Sequence, residues 1–378
     1  MRIAIDASSV PSQPAGAGVY AIELTRAMAA RHSSDGFALF TRGHWLDESL
    51  EHRRNWRIER VAASSRVQRF LWEQTRLPAS LRSLGIDVLH STHHTLPLLG
   101  APSRRVVTIH DLTFLRIPRR YPAVRRLYMQ TLTRLSARLA DAIIVPSETV
   151  RGDVIRLLGA PGAKVAVVYE AAGEQYRPVD PADAAATARR YGLEGPYILS
   201  VGSLEPGKNR PRLIRALHRL RGEGIPARLA VVGQKAWRYD AEIELVQQLG
   251  MQHEVVFLGY VPAPDMPALY AGAMLLALPS LYEGFGLPVL EAMACGTPVL
   301  TSALGATAEV AADAARLVDP RSVDAIATGL RELLPDADLR AAMSRRGLAR
   351  AGAFSWSRAA DETYEVYRGV ARPRTDQP

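Results

Sequence analysis

Short apolar runs alternate with longer helical patterns along most of this chain. In the first half, runs rich in β-branched and other apolar residues predict strands at residues 2–6, 37–41, 88–90, 106–110, 142–145 and 165–168. Between them, apolar residues recur every three to four positions, which predicts helices near residues 17–31, 66–84, 121–140 and 147–158. This alternation favours parallel sheets with helices packed on both faces.

The pattern changes at residues 170–186, where Gly173, Pro178, Pro181 and an alanine run replace strand signals. A second series of strands is then predicted at residues 197–201, 229–232, 255–258, 274–278, 298–301 and 316–318. We therefore predict two doubly wound α/β domains at residues 1–172 and 187–355, joined by a linker at 173–186. Ser355 is a good N-cap, so a last helix is predicted at about 356–370, before a frayed polar tail.

The amino-acid composition limits which cellular compartment and which binding partners are expected for the protein. The single cysteine, Cys295, excludes an internal disulfide framework and favours a reducing compartment. No run approaches the roughly 18 apolar residues of a spanning helix, and the N-terminus lacks a signal segment, so we expect a cytoplasmic protein. The net charge of +9 suits nucleic acid, an anionic membrane or anionic small molecules. Because no nucleic-acid-binding motif accompanies the arginines, we expect no nucleic-acid partner.

The most informative segment is Pro-Ser-Leu-Tyr-Glu-Gly-Phe-Gly-Leu-Pro-Val-Leu-Glu at residues 279–291. A predicted strand runs into a loop with Gly284 and Gly286, and a helix is predicted to begin near Leu287. Glycines let backbone N–H groups approach a ligand, and a helix start offers donors suited to phosphate. Glu283 in the loop and Glu291 in the helix can accept hydrogen bonds from sugar and ribose hydroxyls. A plain strand–loop–helix crossover with solvated acids is the alternative.

This segment resembles the Glu-x7-Glu motif of family 4 glycosyltransferases, including its later Gly-Thr-Pro-Val at residues 296–299. The resemblance implies the GT-B fold, in which two Rossmann-like domains with doubly wound parallel sheets face a central cleft. It implies acceptor binding by the N-terminal domain, donor binding by the C-terminal domain, and a last helix that crosses back to the N-terminal domain. It also implies that Glu283 contacts the donor sugar and Glu291 the ribose. The residues between the two acids are implied donor contacts: Gly284, Phe285, Gly286 and Leu287.

A second loop, Val-Gly-Ser-Leu-Glu-Pro-Gly-Lys-Asn at residues 201–209, follows a predicted strand. Gly202 and Ser203 turn the chain, and the ammonium group of Lys208 can neutralise a diphosphate leaving group. An ordinary surface lysine is the alternative. The loop resembles the family form Val-Gly-x-Leu-x-Pro-x-Lys-Asn, which implies a catalytic role for Lys208. Many members carry Arg in place of Ser203, so the phosphate contact here should depend on Lys208 and backbone donors, with Arg210 as a candidate substitute.

The first half contributes a glycine loop and a histidine. Gly16 and Gly18 follow the first strand and could bring backbone donors to the donor phosphates or the acceptor. His110 ends a predicted strand at the sheet edge where ligands bind, although a structural histidine is the alternative. Its His-Asp-Leu sequence resembles that of the family, which implies an active-site role for His110, with Asp111 bracing the loop.

Three more histidines, His90, His93 and His94, cluster after another predicted strand. They could form a metal site, but no acid lies at a matching local spacing, and we expect them to line the acceptor side. The Asp-Ala-Asp sequence at residues 336–338 follows a proline and opens a helix, so it is better explained as a cap than as a metal ligand. We therefore expect no obligatory metal or other cofactor.

Two later strand ends complete the predicted donor contacts. Gly233 ends one strand and is expected to touch the nucleotide. Tyr260 and Val261 follow the next strand, where the family resemblance implies a backbone contact to the base, although Tyr260 suits core packing equally. Neither glycine loop has the full Gly-x-Gly-x-x-Gly with an acid about 20 residues later, which disfavours an NAD enzyme.

The family resemblance implies a retaining hexosyltransferase that uses a nucleotide sugar. The Leu-Glu-Pro-x-Lys-Asn form resembles bacterial mannosyltransferases of polysaccharide and O-antigen assembly, which implies mannose transfer from GDP-mannose to a glycan or lipid-linked glycan. A UDP-sugar donor, a sugar-nucleotide epimerase and a non-catalytic nucleotide-sugar-binding protein remain alternatives. Basic and apolar residues mix at 119–139, which suits either a solvated helix or peripheral contact with the inner face of the cell membrane.

Overall fold

The computed structural model describes residues 1–43, 50, 52–100, 102–118, 121–234 and 240–371. The chain divides into two compact units. The first contains Met1–Leu115, Ala123–Glu170 and Ser355–Pro378, and the second contains Arg116–Pro122 and Ala171–Phe354. No helix within the described ranges is long and apolar enough to cross a bilayer.

The first unit is built on a parallel sheet of seven described strands in the order β3-β2-β1-β4-β5-β6-β7. Its strands are β1 (Arg2–Asp6), β2 (Gly36–Thr41), β3 (Trp56–Arg60), β4 (Val88–Ser91), β5 (Arg104–Thr108), β6 (Ala142–Val145) and β7 (Val165–Val167). The described helices between these strands are α1 (Ala17–Arg31), α2 (Arg66–Ser83), α3 (Thr113–Arg116), α4 (Ala123–Leu139) and α5 (Glu148–Leu158). The strand order reverses between β1 and β4, as in a doubly wound sheet.

The second unit repeats this plan with six described strands in the order β10-β9-β8-β11-β12-β13. Its strands are β8 (Tyr197–Val201), β9 (Arg228–Val232), β10 (Val255–Gly259), β11 (Leu275–Leu278), β12 (Val299–Ser302) and β13 (Arg316–Val318). Its helices are α6 (Pro181–Arg190), α7 (Arg210–Gly222), α8 (Asp240–Gln248), α9 (Met266–Ala271), α10 (Leu287–Ala294), α11 (Ala306–Ala311), α12 (Val323–Leu333) and α13 (Ala337–Ala351). Among the described residues, short 3-10 segments lie at Pro206–Lys208, Ala263–Asp265 and Ala312–Ala314 in this unit and at Gly162–Lys164 in the first unit. The predicted pair of doubly wound sheets is confirmed.

The last helix, α14 (Trp356–Val370), belongs to the first unit, where it packs on α1. Ser355 caps it, since its Oγ accepts a hydrogen bond from the Arg358 amide at 3.1 Å. Tyr367 is buried and its hydroxyl lies 2.6 Å from Nδ1 of His90 on β4. The polar tail at residues 372–378 lies outside the described part of the chain.

Two local expectations differ from the structure. Residues 173–186 were expected to be a linker, but they lie in the second unit, and Pro181–Arg190 is helical. The alanine run becomes a helix because Asp180 accepts a hydrogen bond from the Ala182 amide at 2.8 Å and Pro181 occupies the first turn. Strand β5 ends at Thr108 rather than at residue 110, which leaves His110 in the loop beyond it.

The edge strand β3 (Trp56–Arg60) was not expected from the pattern. In its sequence, Trp-Arg-Ile-Glu-Arg, two large apolar residues alternate with charged ones. Such alternation suits a strand that pairs on one side only, here with β2.

Candidate active site

Two loops of the second unit bring Lys208 and Glu283 together. Lys208 Nζ donates a hydrogen bond to Glu283 Oε1 at 2.7 Å. Ser280 Oγ donates to the same oxygen, also at 2.7 Å. The side chains of Lys208 and Glu283 keep 14% and 16% of their surfaces exposed, so a ligand can reach the pair.

Asn209 ties the lysine loop to its neighbours. Its backbone is left-handed, with φ of 58°, and its side chain is buried. Nδ2 donates to the carbonyl oxygens of Pro279 at 2.8 Å and Pro320 at 2.6 Å. The Leu281 amide donates to the Gly207 carbonyl at 2.9 Å. The relative positions of Lys208 and the Glu283 loop are therefore set by short contacts from buried groups.

Gly202 and Gly233 both have positive φ and close neighbours, which are the Lys208 side chain for Gly202 and backbone atoms for Gly233. Gly202 has φ of 130°, and a Cβ there would lie 2.6 Å from Lys208 Cε. Gly233 has φ of 152°, and a Cβ there would lie 2.0 Å from the Gly202 carbonyl oxygen. Glycine at these positions thus lets the lysine side chain and the two strand ends pack together. Lys235, in the same predicted nucleotide-binding loop, lies outside the described residues.

Arg210 is not placed for the phosphate contact suggested for it from the sequence. Its side chain is fully buried, and its Nε donates to Glu242 Oε2 at 2.8 Å. Its Nη1 donates to the Gly202 carbonyl at 3.2 Å, and Nη2 donates to the Ser203 carbonyl. The suggestion of a phosphate contact was therefore wrong, because this guanidinium group supports the turn from inside. Burial raises the pKa of Glu242, and Arg210 opposes that shift.

The glutamate loop ends at the start of α10. Gly286, the N-cap residue, has φ of 110°, and a Cβ there would lie 3.0 Å from Thr307 Cγ2. Glu291 is buried, and its Oε2 accepts a hydrogen bond from the Tyr270 hydroxyl at 2.7 Å. Burial, with the Glu291 charge beside it, raises the pKa of Tyr270 well above its ordinary value, so this hydroxyl remains a donor. Sequence reasoning missed Tyr270, which has no local motif.

The other predicted donor contacts differ in exposure. Phe285 and Leu287 are buried, and the Phe285 ring lies 6.1 Å from that of Phe354, so both pack into the unit. Tyr260 is 47% exposed, which rules out the core-packing alternative, whereas Val261 is buried. Gly284 is partly buried in the loop between the two acids.

In the first unit, His110 lies between two acceptors. Its Nε2 lies 2.9 Å from the Thr92 carbonyl oxygen, and its Nδ1 lies 3.4 Å from Glu170 Oε1. The Tyr20 ring packs edge-on at a centroid distance of 4.7 Å. Burial alone would lower the pKa of His110, but the Glu170 carboxylate raises it above its ordinary value. Sequence reasoning missed Glu170, since it is remote along the chain.

His90 is a structural histidine in a buried chain of hydrogen bonds. Its Nδ1 meets the Tyr367 hydroxyl, and its Nε2 lies 2.7 Å from Thr108 Oγ1, which lies 3.0 Å from the Tyr20 hydroxyl. Burial lowers the pKa of His90 to about 3. The expectation that His90 lines an open acceptor surface is therefore wrong.

His93 belongs to a charged cluster that sequence spacing could not reveal. Single ligand atoms of Asp6, Glu73 and His93 lie within 4.8 Å of one another, so acids absent from the local sequence do approach this histidine. Arg69 Nη1 donates to Glu73 Oε2 at 2.6 Å and to His93 Nε2 at 2.9 Å. A guanidinium cation therefore already contacts Glu73 and His93, which disfavours a metal ion at this cluster. Burial lowers the pKa of the neighbouring His94 to about 4.

The N-terminal glycine loop opens α1. Gly16 has φ of 51° and is the N-cap residue of the helix, and a Cβ there would meet no described atom within 4 Å. The Gly18 amide donates to the Ala15 carbonyl at 3.0 Å, and a Cβ at Gly18 would lie 3.3 Å from Pro14 Cβ. Gly18 therefore serves tight packing, and its amide already has a partner within the loop.

The two Rossmann-like units with parallel sheets have the GT-B fold, and the second unit carries a lysine–glutamate pair beside glycine turns and a helix start. The structure resembles sucrose-phosphate synthase from Thermosynechococcus elongatus, with a TM-score of 0.80, 23% identity, and coverage of 97% of this chain and 98% of that one. It also resembles WaaG, a glycosyltransferase involved in lipopolysaccharide biosynthesis, with a TM-score of 0.75, 18% identity, and coverage of 97% and 100%.

Sequence comparisons place the chain more narrowly. A family model for glycosyltransferase family 4 matches residues 14–171, and one for group 1 glycosyl transferases matches residues 188–350. The O-antigen chain mannosyltransferase B of Escherichia coli is 32% identical, over 97% of this chain and all of that protein. The serotype-specific mannosyltransferase WbdA of Escherichia coli is 31% identical over 74% of this chain and 35% of its own length. The chain belongs to the family 4 glycosyltransferases.

Proposed function

We propose that this glycosyltransferase transfers mannose from GDP-mannose, with retention, to a glycan or lipid-linked glycan acceptor. The contact of Lys208 with Glu283 carries the proposal, because it joins a group suited to the diphosphate with one suited to the sugar. The names of the Escherichia coli relatives support mannose as the transferred sugar. A UDP-sugar remains the competing donor.

In this mechanism, the bond from the sugar C1 to the diphosphate oxygen breaks, and the acceptor oxygen bonds to C1 on the same face. The acceptor proton passes to the departing phosphate oxygen, so no separate base is needed. Lys208 stabilises the charge that grows on the diphosphate. An ammonium group has three N–H donors, so Lys208 can keep Glu283 in place while it donates to the leaving group. Glu283 accepts hydrogen bonds from sugar hydroxyls and orients the ring.

The remaining predicted site residues keep their proposed roles. We assign ribose binding to Glu291, and to His110 a contact with the transferred sugar or the acceptor. Donor contacts, in part through backbone atoms, are proposed for Gly16, Gly18, Gly202, Ser203, Gly233, Tyr260, Val261, Gly284, Phe285, Gly286 and Leu287. Phe285, Leu287 and Val261 bury apolar side chains, so we propose that they contribute backbone contacts.

The donor is tested by thermal shift with GDP, UDP, ADP and their sugars. A ligand that binds only the folded state stabilises it by RT ln(1 + [L]/Kd), about 2.7 kcal/mol at 100 times Kd. We expect GDP and GDP-mannose to raise the unfolding midpoint most. A larger shift with UDP would replace the proposed donor, and no shift with any nucleotide would contradict donor binding.

Turnover is tested with Glu283→Gln and Lys208→Met, assayed by nucleotide release with a mannose-terminated acceptor. Loss of an oriented electrostatic group should lower kcat by about 10²–10³. Glu244→Gln on the exposed side of α8 and Lys164→Met in the first unit are matched controls that should change kcat less than about twofold. Unchanged turnover in both site variants would exclude this mechanism, and binding without any wild-type turnover would favour a non-catalytic binding protein.

We also propose peripheral membrane contact through an apolar surface on α2 and α4. Its exposed residues are Val67, Leu71, Val124, Leu127 and Tyr128, with exposures of 69%, 55%, 83%, 65% and 46%. The Phe70 and Tyr128 rings lie 6.1 Å apart, so the two helices adjoin there. Arg125 on α4 is exposed beside the apolar residues, which suits an anionic bilayer. Arg119 and Arg120, in the same predicted segment, lie outside the described residues.

Flotation with vesicles tests this contact. Wild type should float with phosphatidylglycerol-containing vesicles and less with neutral ones, while Val124→Glu with Leu127→Glu should reduce flotation. Leu71→Glu, which replaces an exposed apolar residue on α2, should reduce flotation as well. Equal behaviour with anionic and neutral vesicles, or no effect of these variants, would exclude the surface.

A further inference from the structure

The surroundings of His110 determine which of its nitrogens carry protons. The Thr92 carbonyl oxygen can only accept a hydrogen bond, so Nε2 at 2.9 Å must be a donor. On the other side, Nδ1 faces Glu170 Oε1 at 3.4 Å. An ionised carboxylate also only accepts, so it favours a proton on Nδ1 as well. His110 with both protons is an imidazolium cation and offers no lone pair to a substrate.

The burial of this pair makes the partner essential. His110 and Glu170 have 8% and 5% of their surfaces exposed, so water contributes little to either charge. A buried charge without a partner is costly, whereas a cation beside a carboxylate is compensated. Glu170 is the last residue of the Ala123–Glu170 segment of the first unit. The compensating charge therefore comes from a chain position remote from the β5 loop.

Other groups around His110 do not supply the same compensation. Asp111 is a second nearby carboxylate, and its charge favours the same protonated form. The His94 ring lies 6.2 Å away, and His90 is nearby, but burial lowers the pKa of both, which keeps them neutral near pH 7. Tyr20 packs edge-on at 4.7 Å and is neutral, since burial raises its pKa. Among these described neighbours, Glu170 places a carboxylate oxygen within ion-pair distance of the ring, 3.4 Å from Nδ1.

We propose that Glu170 is a positioning residue that holds His110 doubly protonated, so that His110 acts as a fixed hydrogen-bonded cation and not as a base. This inference rests on the proposed function, in which His110 contacts the transferred sugar or the acceptor. A ring without a lone pair cannot take the acceptor proton. The proton then passes to the departing phosphate oxygen, as the proposed transfer requires.

A histidine titration by NMR tests the charge state directly. The protein is labelled at histidine Cε1, and the His110 signal is assigned by its absence in His110→Asn. We expect a wild-type midpoint above 6.5, the ordinary value. In Glu170→Gln the amide keeps an acceptor for Nδ1 but loses the charge, so the midpoint should fall by about one to three units. Glu170→Asp keeps the charge and should retain most of the elevation. Glu148→Gln, at an exposed position of α5, is the matched control and should leave the midpoint unchanged.

The pH dependence of kcat gives the second readout. If the protonated form is the active one, wild-type kcat falls as pH rises through the elevated pKa of His110. In Glu170→Gln this fall should move to lower pH, while a merely structural role would lower kcat equally at every pH. A His110 midpoint below 6.5 in wild type, or one that neither substitution at Glu170 moves, would overturn the proposal. A wild-type midpoint above 6.5 that falls in Glu170→Gln, in a protein without any glycosyl transfer, would instead count against the proposed function alone.

Discussion

Asn209 should contribute several kcal/mol to the second unit, because it joins three loops from a strained position. In Asn209→Ala, the Pro279 and Pro320 carbonyl oxygens lose their buried donor. The two buried hydrogen bonds cost about 1 kcal/mol each, or roughly 2 kcal/mol together, and the partly exposed third bond, from Arg212, adds less. Asn209 has φ of 58°, a left-handed conformation that asparagine tolerates better than alanine does. Alanine at this position therefore adds about 1 kcal/mol of backbone strain. The free energy of unfolding should therefore fall by roughly 3 kcal/mol.

A glycine at this position separates the two contributions. Asn209→Gly also loses both hydrogen bonds but accepts the left-handed backbone, so we expect a loss of roughly 2 kcal/mol. Arg212→Ala removes a neighbour that donates to Asn209 Oδ1 at 2.8 Å but leaves the two carbonyl contacts intact. This control should cost less than about 1 kcal/mol, since it removes one partly exposed hydrogen bond.

The assay is urea unfolding followed by circular dichroism, with nucleotide affinity measured on the same variants. Because Asn209 lies next to Lys208, loss of its contacts should also weaken nucleotide binding, which the Arg212 control should not do. The reasoning is refuted if the alanine and glycine variants both lose less than about 1 kcal/mol, the cost of a single hydrogen bond. It is also refuted if the alanine variant is as stable as the glycine variant, since the strain would then be absent.

Three further predictions concern single groups. Gly233→Ala places a Cβ 2.0 Å from the Gly202 carbonyl oxygen, so it should lower the unfolding midpoint and abolish the nucleotide-induced thermal shift; a normal shift would contradict the packing. Tyr367→Phe leaves buried His90 Nδ1 without its 2.6 Å partner and should cost about 1–3 kcal/mol in urea unfolding, while a loss below about 0.5 kcal/mol would contradict the contact. Since burial lowers the pKa of His90 to about 3 and of His94 to about 4, the unfolded state binds protons first as pH falls below 6.5. Stability should therefore decline from pH 6.5 towards 4 by up to about 1.4 kcal/mol per pH unit for each histidine, and constant stability over that range would refute the burial.

Most of the fold could be predicted from the sequence because the patterns that indicate its strands and helices are local. Buried parallel strands such as β8 and β11 are short continuous apolar runs, and the intervening helices have their own caps and periodicity. The edge strand β3 escaped because its charged residues mask that signal. The segment at 173–186 was misjudged because glycine, proline and alanine together suggested a linker, while Asp180 and Pro181 in fact begin a helix.

The candidate site could be predicted from the sequence only in part. Lys208 and Glu283 lie in recognisable loops, and the structure brings their side chains into contact. Arg210 looked like a phosphate ligand from its place beside Lys208, but the direction of its side chain depends on Glu242, which lies on another helix. Tyr270, the partner of Glu291, likewise comes from a separate helix and carries no motif of its own.

The sequence by itself determined the two parallel sheets, the glycine turns and the positions of the lysine and glutamate loops, because periodicity, caps and loop motifs are encoded by neighbouring residues. Tertiary structure alone decided which charges are paired and which polar groups are buried. Glu170 lies 3.4 Å from His110, and Arg69 pairs with Glu73 and His93. The protonation of a histidine depends on the distance to its partner and on its exclusion from water, and chain folding brings such partners together from remote positions.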